Sequence, residues 1–169
     1  MIEADAQDWA EYVGGDNEAL ARIHNRHRDG LLKYCAYATG SRARAQDVVQ
    51  ETFLRLMNQR GRLSIRTSLA DWLFVCARNL CFNWNKREKG MTDVDQIAEQ
   101  VDQEIDVETK QFIEQVLSRL SIEERDLILM REQRGYSINE TAILLGISEE
   151  NVRVRLFRVR KRMQEIGRS

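Results

Sequence analysis

The chain contains no proline in 169 residues. Proline interrupts helices in their interior, and average usage would place about eight in a chain of this length. Glycine is also scarce, at nine residues, while 43% of the residues are hydrophobic. A chain of this kind can form long helices with short connections and still bury a core, so we predict an all-α fold.

No run of about 18 apolar residues occurs that could span a membrane. The N-terminus, Met1 to Asp5, is acidic and lacks the positive-then-apolar pattern of a signal peptide. These two features predict a soluble protein with a cytoplasmic location.

The residues that usually carry catalysis or bind metals are few and scattered. Cys35, Cys76 and Cys81 lack C-x-x-C spacing, and we interpret them as small buried apolar groups. His24 and His27 lie three apart without an accompanying carboxylate or cysteine cluster, so no metal site is predicted. The sequence offers no nucleophile–base pair and no phosphate-binding loop. We therefore expect neither an enzyme nor a cofactor, and no small-molecule substrate.

The formal net charge of −1 conceals strong segregation along the chain. Residues 1–18 and 91–109 contain thirteen acids and no Lys or Arg, whereas 19–90 has a net charge of +9 and 110–169 of +3. This pattern predicts two small helical domains, 1–90 and 110–169, joined by a flexible acidic linker at 91–109. The acidic segments are expected to compete with DNA for the basic faces, so the affinity for DNA alone should be modest.

Hydrophobic periodicity and capping residues predict three helices in the first domain and a helix-turn-helix in the second. In the first domain the helices are expected at about 18–37, capped by Asn17, at 41–58, and at 68–89, with a loop at 59–67. In the second domain, after a helix at about 108–119, capping boxes are predicted at Ser121-x-x-Glu124 and Ser137-x-x-Glu140, helix stops at Gly135 and Gly146, and the helix-turn-helix at 137–165. A helical hairpin without a DNA role would have similar caps.

The last helix has an apolar stripe from Val152 to Met163 that is expected to face the core. Its opposite face is cationic yet carries Val154 and Phe157, which folding does not explain. Apolar side chains suit thymine methyl groups, and guanidinium groups suit guanine edges and phosphates. We interpret this face as a reader of duplex DNA; the alternative is a solvated charged helix with a stray Phe.

Two other helices are each expected to bury one apolar stripe, from Ala45 to Leu56 in the helix at 41–58 and from Leu69 to Trp84 in the helix at 68–89, and to leave a distinctive face free. The helix at 68–89 combines Asn79 and Phe82 with cations, a combination that suits unpaired bases and their phosphates, although contact with a partner helix is the alternative. The helix at 41–58 has an acidic free face with Leu54 at its centre, which suits docking of a protein rather than DNA. A solvated helix face is the alternative there.

Four segments, taken in order and spacing, resemble a known family: 47–56 (DVVQETFLRL), 72–80 (WLFVCARNL), 120–125 (LSIEER) and 152–160 (VRVRLFRVR). Across about residues 17–165 the chain resembles bacterial RNA polymerase sigma factors of the extracytoplasmic-function (ECF) type. The resemblance implies two domains, corresponding to sigma regions 2 and 4. It also implies a sigma factor that binds core RNA polymerase, recognises −35 and −10 promoter elements and helps to melt the −10 element.

The resemblance also implies roles for individual residues and partners. The partners would be the β and β′ subunits of core RNA polymerase, promoter DNA and an anti-sigma factor, which could hold the protein at the inner membrane. Polymerase binding would involve Asp47, Gln50, Glu51, Leu54 and Arg55; −10 binding would involve Arg62, Arg66, Arg78, Asn79, Phe82 and Lys86; −35 binding would involve Asn151, Arg153, Val154, Phe157, Arg158 and Lys161. The main alternative is a stand-alone helix-turn-helix regulator whose first domain senses a signal or dimerises.

Overall fold

The computed structural model describes residues 2–63, 68–87 and 106–168. Regular structure in these ranges is entirely helical, so the predicted all-α class is confirmed. Among these residues no helix is both long enough and apolar enough to cross a bilayer. The helices are α1 Ile2–Gly14, α2 Asn17–Thr39, α3 Arg42–Asn58, α4 Leu69–Arg87, α5 Val107–Ser118, α6 Ile122–Ile128, a π-helical turn Leu129–Gln133, α7 Ile138–Leu145 and α8 Glu149–Gly167.

The predicted helix boundaries differ from the observed ones in two instructive places. Asp16, not Asn17, caps α2, because its carboxylate accepts the backbone N–H of Glu18 at 2.9 Å and the helix begins one residue earlier. Of the predicted acidic linker, 91–105 lies outside the described residues, and 107–109 already belong to α5, which Asp106 caps. Both differences arise because an aspartate near the predicted start captures an N–H of the first turn.

Helix α1 was not predicted, because its inward face mixes carboxylates with aromatic rings. Asp5 and Asp8 are buried at 1% and 6% exposure, beside the buried rings of Trp9 and Tyr12. These positions follow helical spacing, but the two acids hide the apolar stripe from a hydrophobicity pattern.

The buried acids of α1 are paired with bases of α2. Asp8 accepts from Nε of Arg22 at 2.7 Å and from Nη2 of Arg26 at 2.6 Å. Asp5 contacts Nε2 of His27 at 2.9 Å and also accepts from Arg26. A buried carboxylate is tolerated when it is paired and hydrogen-bonded, which is why α1 can lie against α2.

Helices α1–α4 pack on one another around a core that follows the predicted stripes. In α4 the stripe from Leu69 to Leu80 is buried, and in α3 Val49, Phe53 and Leu56 are at most 7% exposed. Phe74 lies outside the predicted stripe of α4, yet it is fully buried. The sequence pattern therefore located the core of these helices but missed one of its largest side chains.

Phe74 is buried because the C-terminal helices also pack on α2 and α4. Its ring centroid lies 4.8 Å from that of Tyr34 and 5.2 Å from that of Tyr136, which follows the π-helical turn. Helix α2 contacts both α6 and this turn, and buried side chains of both sets of helices form one continuous core. The division into two domains at 1–90 and 110–169 stays a prediction.

Candidate nucleic-acid interface

The C-terminal helices contain the predicted helix-turn-helix. Ser137 begins α7 with a complete capping box: its hydroxyl accepts the N–H of Glu140 at 3.1 Å, and the Glu140 carboxylate accepts the N–H of Ser137 at 2.7 Å. Gly146 ends α7 in the left-handed conformation (φ 65°) that glycine adopts without strain. Ser148 then caps α8 by accepting the N–H of Asn151 at 3.2 Å. The turn between α7 and α8 is therefore fixed by local hydrogen bonds.

The inner face of α8 anchors this helix to the protein. Val152, Leu156 and Val159 are at most 4% exposed, and Met163 packs at the edge of the core. These residues form the stripe predicted from the sequence. The contacts of α8 with the core lie on this inner face, whereas Val154, Phe157 and Arg158 on the opposite face are exposed.

The outer face of α8 carries every residue predicted to bind the −35 element. Phe157 is 71% exposed and Val154 is 41% exposed, so neither contributes much to folding. The side chain of Arg153 donates to Glu149 of the same helix at 2.7 Å. An exposed aromatic ring among cations has both apolar surface for bases and charge for phosphates. The predicted set Asn151, Arg153, Val154, Phe157, Arg158 and Lys161 is exposed together on this face.

The predicted −10 residues of α4 differ in their accessibility. Asn79 and Lys86 are exposed, whereas the side chain of Arg78 is only 18% exposed. The Arg78 guanidinium lies over the ring of Phe82, 4.6 Å from its centroid, and Phe82 is half-buried. Outside α4, Arg62 is exposed in the turn after α3, and Arg66 lies outside the described residues.

Arg78 is occupied by the C-terminal helices. Its Nε and Nη2 lie 2.8 Å and 2.7 Å from Oδ2 of Asp126 in α6. A cavity of about 170 Å³ next to this pair is lined by Arg78 and Asp126 and by Arg158 from α8. The structure thus brings a predicted −10 residue and a predicted −35 residue to the same cavity.

The predicted polymerase-binding face of α3 is accessible and borders a groove. Leu54 is 45% exposed, and Nε of Arg55 donates to Glu51 at 2.8 Å, which raises the pKa of Arg55. The exposed residues of this set are Asp47, Gln50, Leu54 and Arg55, and Glu51 is half-buried.

This groove has contributors that sequence analysis missed. It has a volume of about 310 Å³, and Leu54 and Gln50 line it together with His24 and Arg28 of α2. Met57, also on its wall, is 44% exposed. Met57 follows Leu54 by three residues, a spacing that could have indicated it. The α2 residues could not be found this way, because only the packing of α2 on α3 places them here.

The three cysteines and His24 pack against other side chains of the fold. Cys35 and Cys81 are buried as predicted; Cys76 is half-buried, and burial raises the pKa of its thiol. The ring of His24 lies 4.6 Å from that of Phe53. Within the described ranges, no group of three or more His, Cys, Asp or Glu side chains is arranged to hold a metal ion.

Family models match both halves of the chain. The model described as Sigma-70 region 2 matches residues 23–90, and the model described as Sigma-70, region 4 matches residues 111–163. The first match includes α2, α3 and α4, and the second includes the helix-turn-helix. The chain therefore contains both segments in the order that the sequence motifs predicted.

Two relatives that align with most of the chain are ECF RNA polymerase sigma factors. The ECF RNA polymerase sigma factor SigL of Mycobacterium tuberculosis is 33% identical over 162 residues, covering 88% of this chain and 92% of the relative. SigM of the same organism is 28% identical over 168 residues, covering 96% and 84%.

Two solved structures share the fold. The sigma factor RpoE, in complex with the anti-sigma factor NepR from Bartonella quintana, has a TM-score of 0.70 at 22% identity and covers 86% of this chain and 94% of that chain. CnrH, in complex with the cytosolic domain of CnrY, has a TM-score of 0.70 at 21% identity and covers 96% of both chains.

Proposed function

The chain belongs to the ECF RNA polymerase sigma factors, and on this premise we propose that it directs core RNA polymerase to promoters through −35 and −10 recognition. In this proposal the chain performs no covalent chemistry. It recruits polymerase to a duplex site and then captures the opened −10 strand. The observation that carries the proposal is the exposed Phe157, which lies among cations on the outer face of α8, while Val152, Leu156 and Val159 are buried on its inner face.

The C-terminal helices would bind the −35 element as duplex. A helix-turn-helix places its second helix in the major groove, and here that helix is α8. Val154 and Phe157 would contact thymine methyl groups, while Arg153 and Arg158 would contact guanine edges or phosphates. The capped turn at Gly146 fixes the angle at which α8 is presented.

The N-terminal helices would capture the −10 element as a single strand. Phe82 would stack on an unpaired base, Asn79 would hydrogen-bond a base edge, and Arg78 and Lys86 would follow the phosphates. Opening a few base pairs costs a few kcal/mol, and stacking contributes about 1–3 kcal/mol per base. Stacking can therefore offset strand opening without any external energy source. Arg62 and Arg66, from the segment before α4, complete the proposed contact set.

The groove beside α3 would dock the polymerase. Leu54 and Met57 provide exposed apolar surface next to the predicted polar residues, as is typical of protein interfaces. We assign the docking contacts to Asp47, Gln50, Glu51, Leu54 and Arg55.

An anti-sigma factor is the proposed regulator. Two structural neighbours of this chain, RpoE and CnrH, were solved bound to NepR and to the cytosolic domain of CnrY, respectively. A comparable protein would bind this chain in the cytoplasm and compete for the free faces described above.

The proposal is tested by transcription in vitro with core RNA polymerase on a genomic template library. With the protein present, we expect new transcripts whose start sites share a −35/−10 pair, and none from core polymerase alone. Sedimentation distinguishes the stand-alone regulator: it would be a dimer on two-fold half-sites, whereas a sigma factor acts as a monomer with polymerase. If no shared promoter pair emerges with an active core enzyme, the proposed function is wrong.

A further inference from the structure

The carboxylate of Glu149 connects the two helices of the helix-turn-helix to one proposed −35 residue. Glu149 is the first residue of α8, and its Oε1 accepts the side-chain amide N–H of Asn139 in α7 at 3.0 Å. Its Oε2 accepts from Nη2 of Arg153, one turn further along α8, at 2.7 Å. Each carboxylate oxygen therefore has its own donor, one from each helix.

Two other arginines of α8 are paired with carboxylates outside this helix. Nη2 of Arg160 lies 3.0 Å from Glu132 of the π-helical turn, and Nη1 of Arg162 lies 3.1 Å from Glu124 of α6. These two pairs link α8 to elements that precede the helix-turn-helix. The carboxylate partner of Arg153 belongs to α8 itself, so this pair does not attach α8 to the rest of the protein.

The pair between Glu149 and Arg153 contributes little to folding. The two side chains are 41% and 57% exposed, respectively, and solvent screens an exposed ion pair of this kind. An acid in the first turn complements the helix dipole, but the neighbouring Glu150 does so as well. The hydrogen bond from Asn139 and, after it, the charge of Arg153 lower the pKa of Glu149. Stability alone therefore does not account for a fixed negative charge beside a proposed DNA contact.

The carboxylate changes what Arg153 can bind. Affinity for phosphates comes from uncompensated positive charge, so an arginine neutralised by Glu149 is a weak phosphate contact. A guanidinium has five N–H donors, and the bond to Glu149 uses only one of them. The remaining donors can still reach O6 and N7 of a guanine, which are neutral acceptors. Glu149 therefore favours contact of Arg153 with a base edge over contact with a phosphate.

We propose that Glu149 is a positioning residue, oriented by Asn139, that holds Arg153 for a guanine of the −35 element and away from the phosphates. This inference rests on the proposed function, because it takes α8 as the helix that enters the major groove at −35. It assigns Arg153 to sequence discrimination rather than to general DNA affinity.

The first measurement is the base preference of the holoenzyme formed from the full chain and core RNA polymerase. A duplex template library with a randomised −35 element is transcribed, and sequencing the transcripts gives the preference at each position. The position that Arg153 contacts is the one whose preference Arg153→Ala removes. There Glu149→Gln should lower the preference for guanine about threefold or more, which is part of the discrimination that a bidentate arginine contact provides.

The second measurement is the salt dependence of duplex binding by the full chain. The probes are fluorescein-labelled duplexes of about 20 base pairs and mixed sequence, at about 50–200 mM KCl. An Arg153 that is no longer neutralised can contact a phosphate. For Glu149→Gln the slope of log K against log salt concentration should therefore steepen by about 0.9, which corresponds to one additional phosphate contact.

Three control variants separate positioning from general electrostatics. Glu150→Gln removes the same charge from the adjacent position, which is exposed and pairs with none of the described residues, and it should leave the base preference unchanged. In an Arg153→Ala background, Glu149→Gln should have no further effect on base preference, because the group that it positions is gone. Asn139→Ala keeps every charge and removes only the bond that orients the carboxylate. It should lower the same preference by a smaller factor without steepening the salt dependence.

A wild-type preference for guanine in Glu149→Gln would overturn the inference, as would an equal loss of preference in Glu150→Gln. It is also wrong if Arg153→Ala removes no base preference at any −35 position. The proposed function fails separately, when the wild-type holoenzyme does not initiate transcription or shows no preference within the −35 element. A wild-type preference that Glu149→Gln leaves intact would disprove the positioning role alone.

Discussion

Nη1 of Arg125 lies 3.1 Å from the carbonyl oxygen of Tyr37, in the last turns of α2. The arginine is 5% exposed, and its Nε donates to the carbonyl of Leu117 in α5 at 3.0 Å. Burial lowers the pKa of this guanidinium, while the negative end of the α2 dipole favours its charge. Arg125 therefore links α6 to α2 and α5 by hydrogen bonds to backbone carbonyl oxygens.

The first prediction concerns the planar guanidinium group of Arg125, which hydrogen-bonds two carbonyl groups at once. Arg125→Lys keeps the charge, but a single ammonium cannot reach both carbonyl groups that the planar fork reaches. A buried carbonyl left unpaired costs about 1–3 kcal/mol, so the free energy of unfolding should fall by that amount. Urea denaturation measures the change as a lower midpoint. Arg119→Lys, at an exposed position just before α6, is the matched control and should leave the midpoint unchanged; equal midpoints for both variants would contradict the prediction.

Local features of this fold were predictable because short stretches of sequence determine them. Both capping boxes, at Ser121 and Ser137, form with their predicted glutamate partners three residues later. The stripe from Val152 to Met163 is buried as its spacing required. Each of these features depends on residues within one or two helical turns, so periodicity and capping rules are sufficient to find them.

Features that depend on distant partners could not be predicted. Helix α1 was missed because Asp5 and Asp8 become acceptable core residues only when α2 supplies Arg22 and Arg26. Likewise, nothing near Asp126 in the sequence indicates that Tyr34 and Arg78 surround it.

The second prediction concerns acid stability. Hydrogen bonds from Arg26 and Arg22 lower the pKa of Asp8 below its usual value. Since the folded pKa is lower than the unfolded value of about 3.9, the ionised carboxylate stabilises the fold above that pH, and this contribution is lost as the pH falls through the folded pKa. Asp8→Asn should be less stable than the wild type at pH 7 and should lose less stability below about pH 4.

Urea midpoints measured from neutral to acid pH test this prediction. Glu3→Gln, at an exposed position of the same helix, controls for the loss of one negative charge. Parallel stability curves for the wild type and Asp8→Asn across the acid range would show that the pairing with Arg22 and Arg26 does not contribute to acid unfolding.

The third prediction concerns polymerase docking. Leu54 is 45% exposed on the wall of the α3 groove, so Leu54→Asp should leave the fold intact while placing a charge at the centre of an apolar contact. Truncating a hot-spot residue at the centre of an interface costs about 2 kcal/mol or more, so if Leu54 holds that position the affinity for core polymerase should fall at least about thirtyfold. Val13→Asp is a matched control, since Val13 is 40% exposed on α1, away from the groove. Fluorescence anisotropy with core enzyme gives both affinities, and normal binding by Leu54→Asp would exclude this face.

The fourth prediction separates promoter recognition from polymerase binding. Phe157 is 71% exposed, so Phe157→Ala should hardly change stability, but it removes the apolar contact proposed for thymine methyl groups. A lost base contact costs about 1–3 kcal/mol, so transcription from a promoter with an intact −35 element should fall about fivefold or more, while core affinity stays normal. Phe112→Ala, at a ring 50% exposed on α5, is the matched control. The decisive measurement is the ratio of transcripts from templates with and without the −35 element, because a defect in polymerase binding lowers transcription from both templates equally. If Phe157→Ala leaves that ratio at its wild-type value, α8 does not recognise the −35 element through this ring.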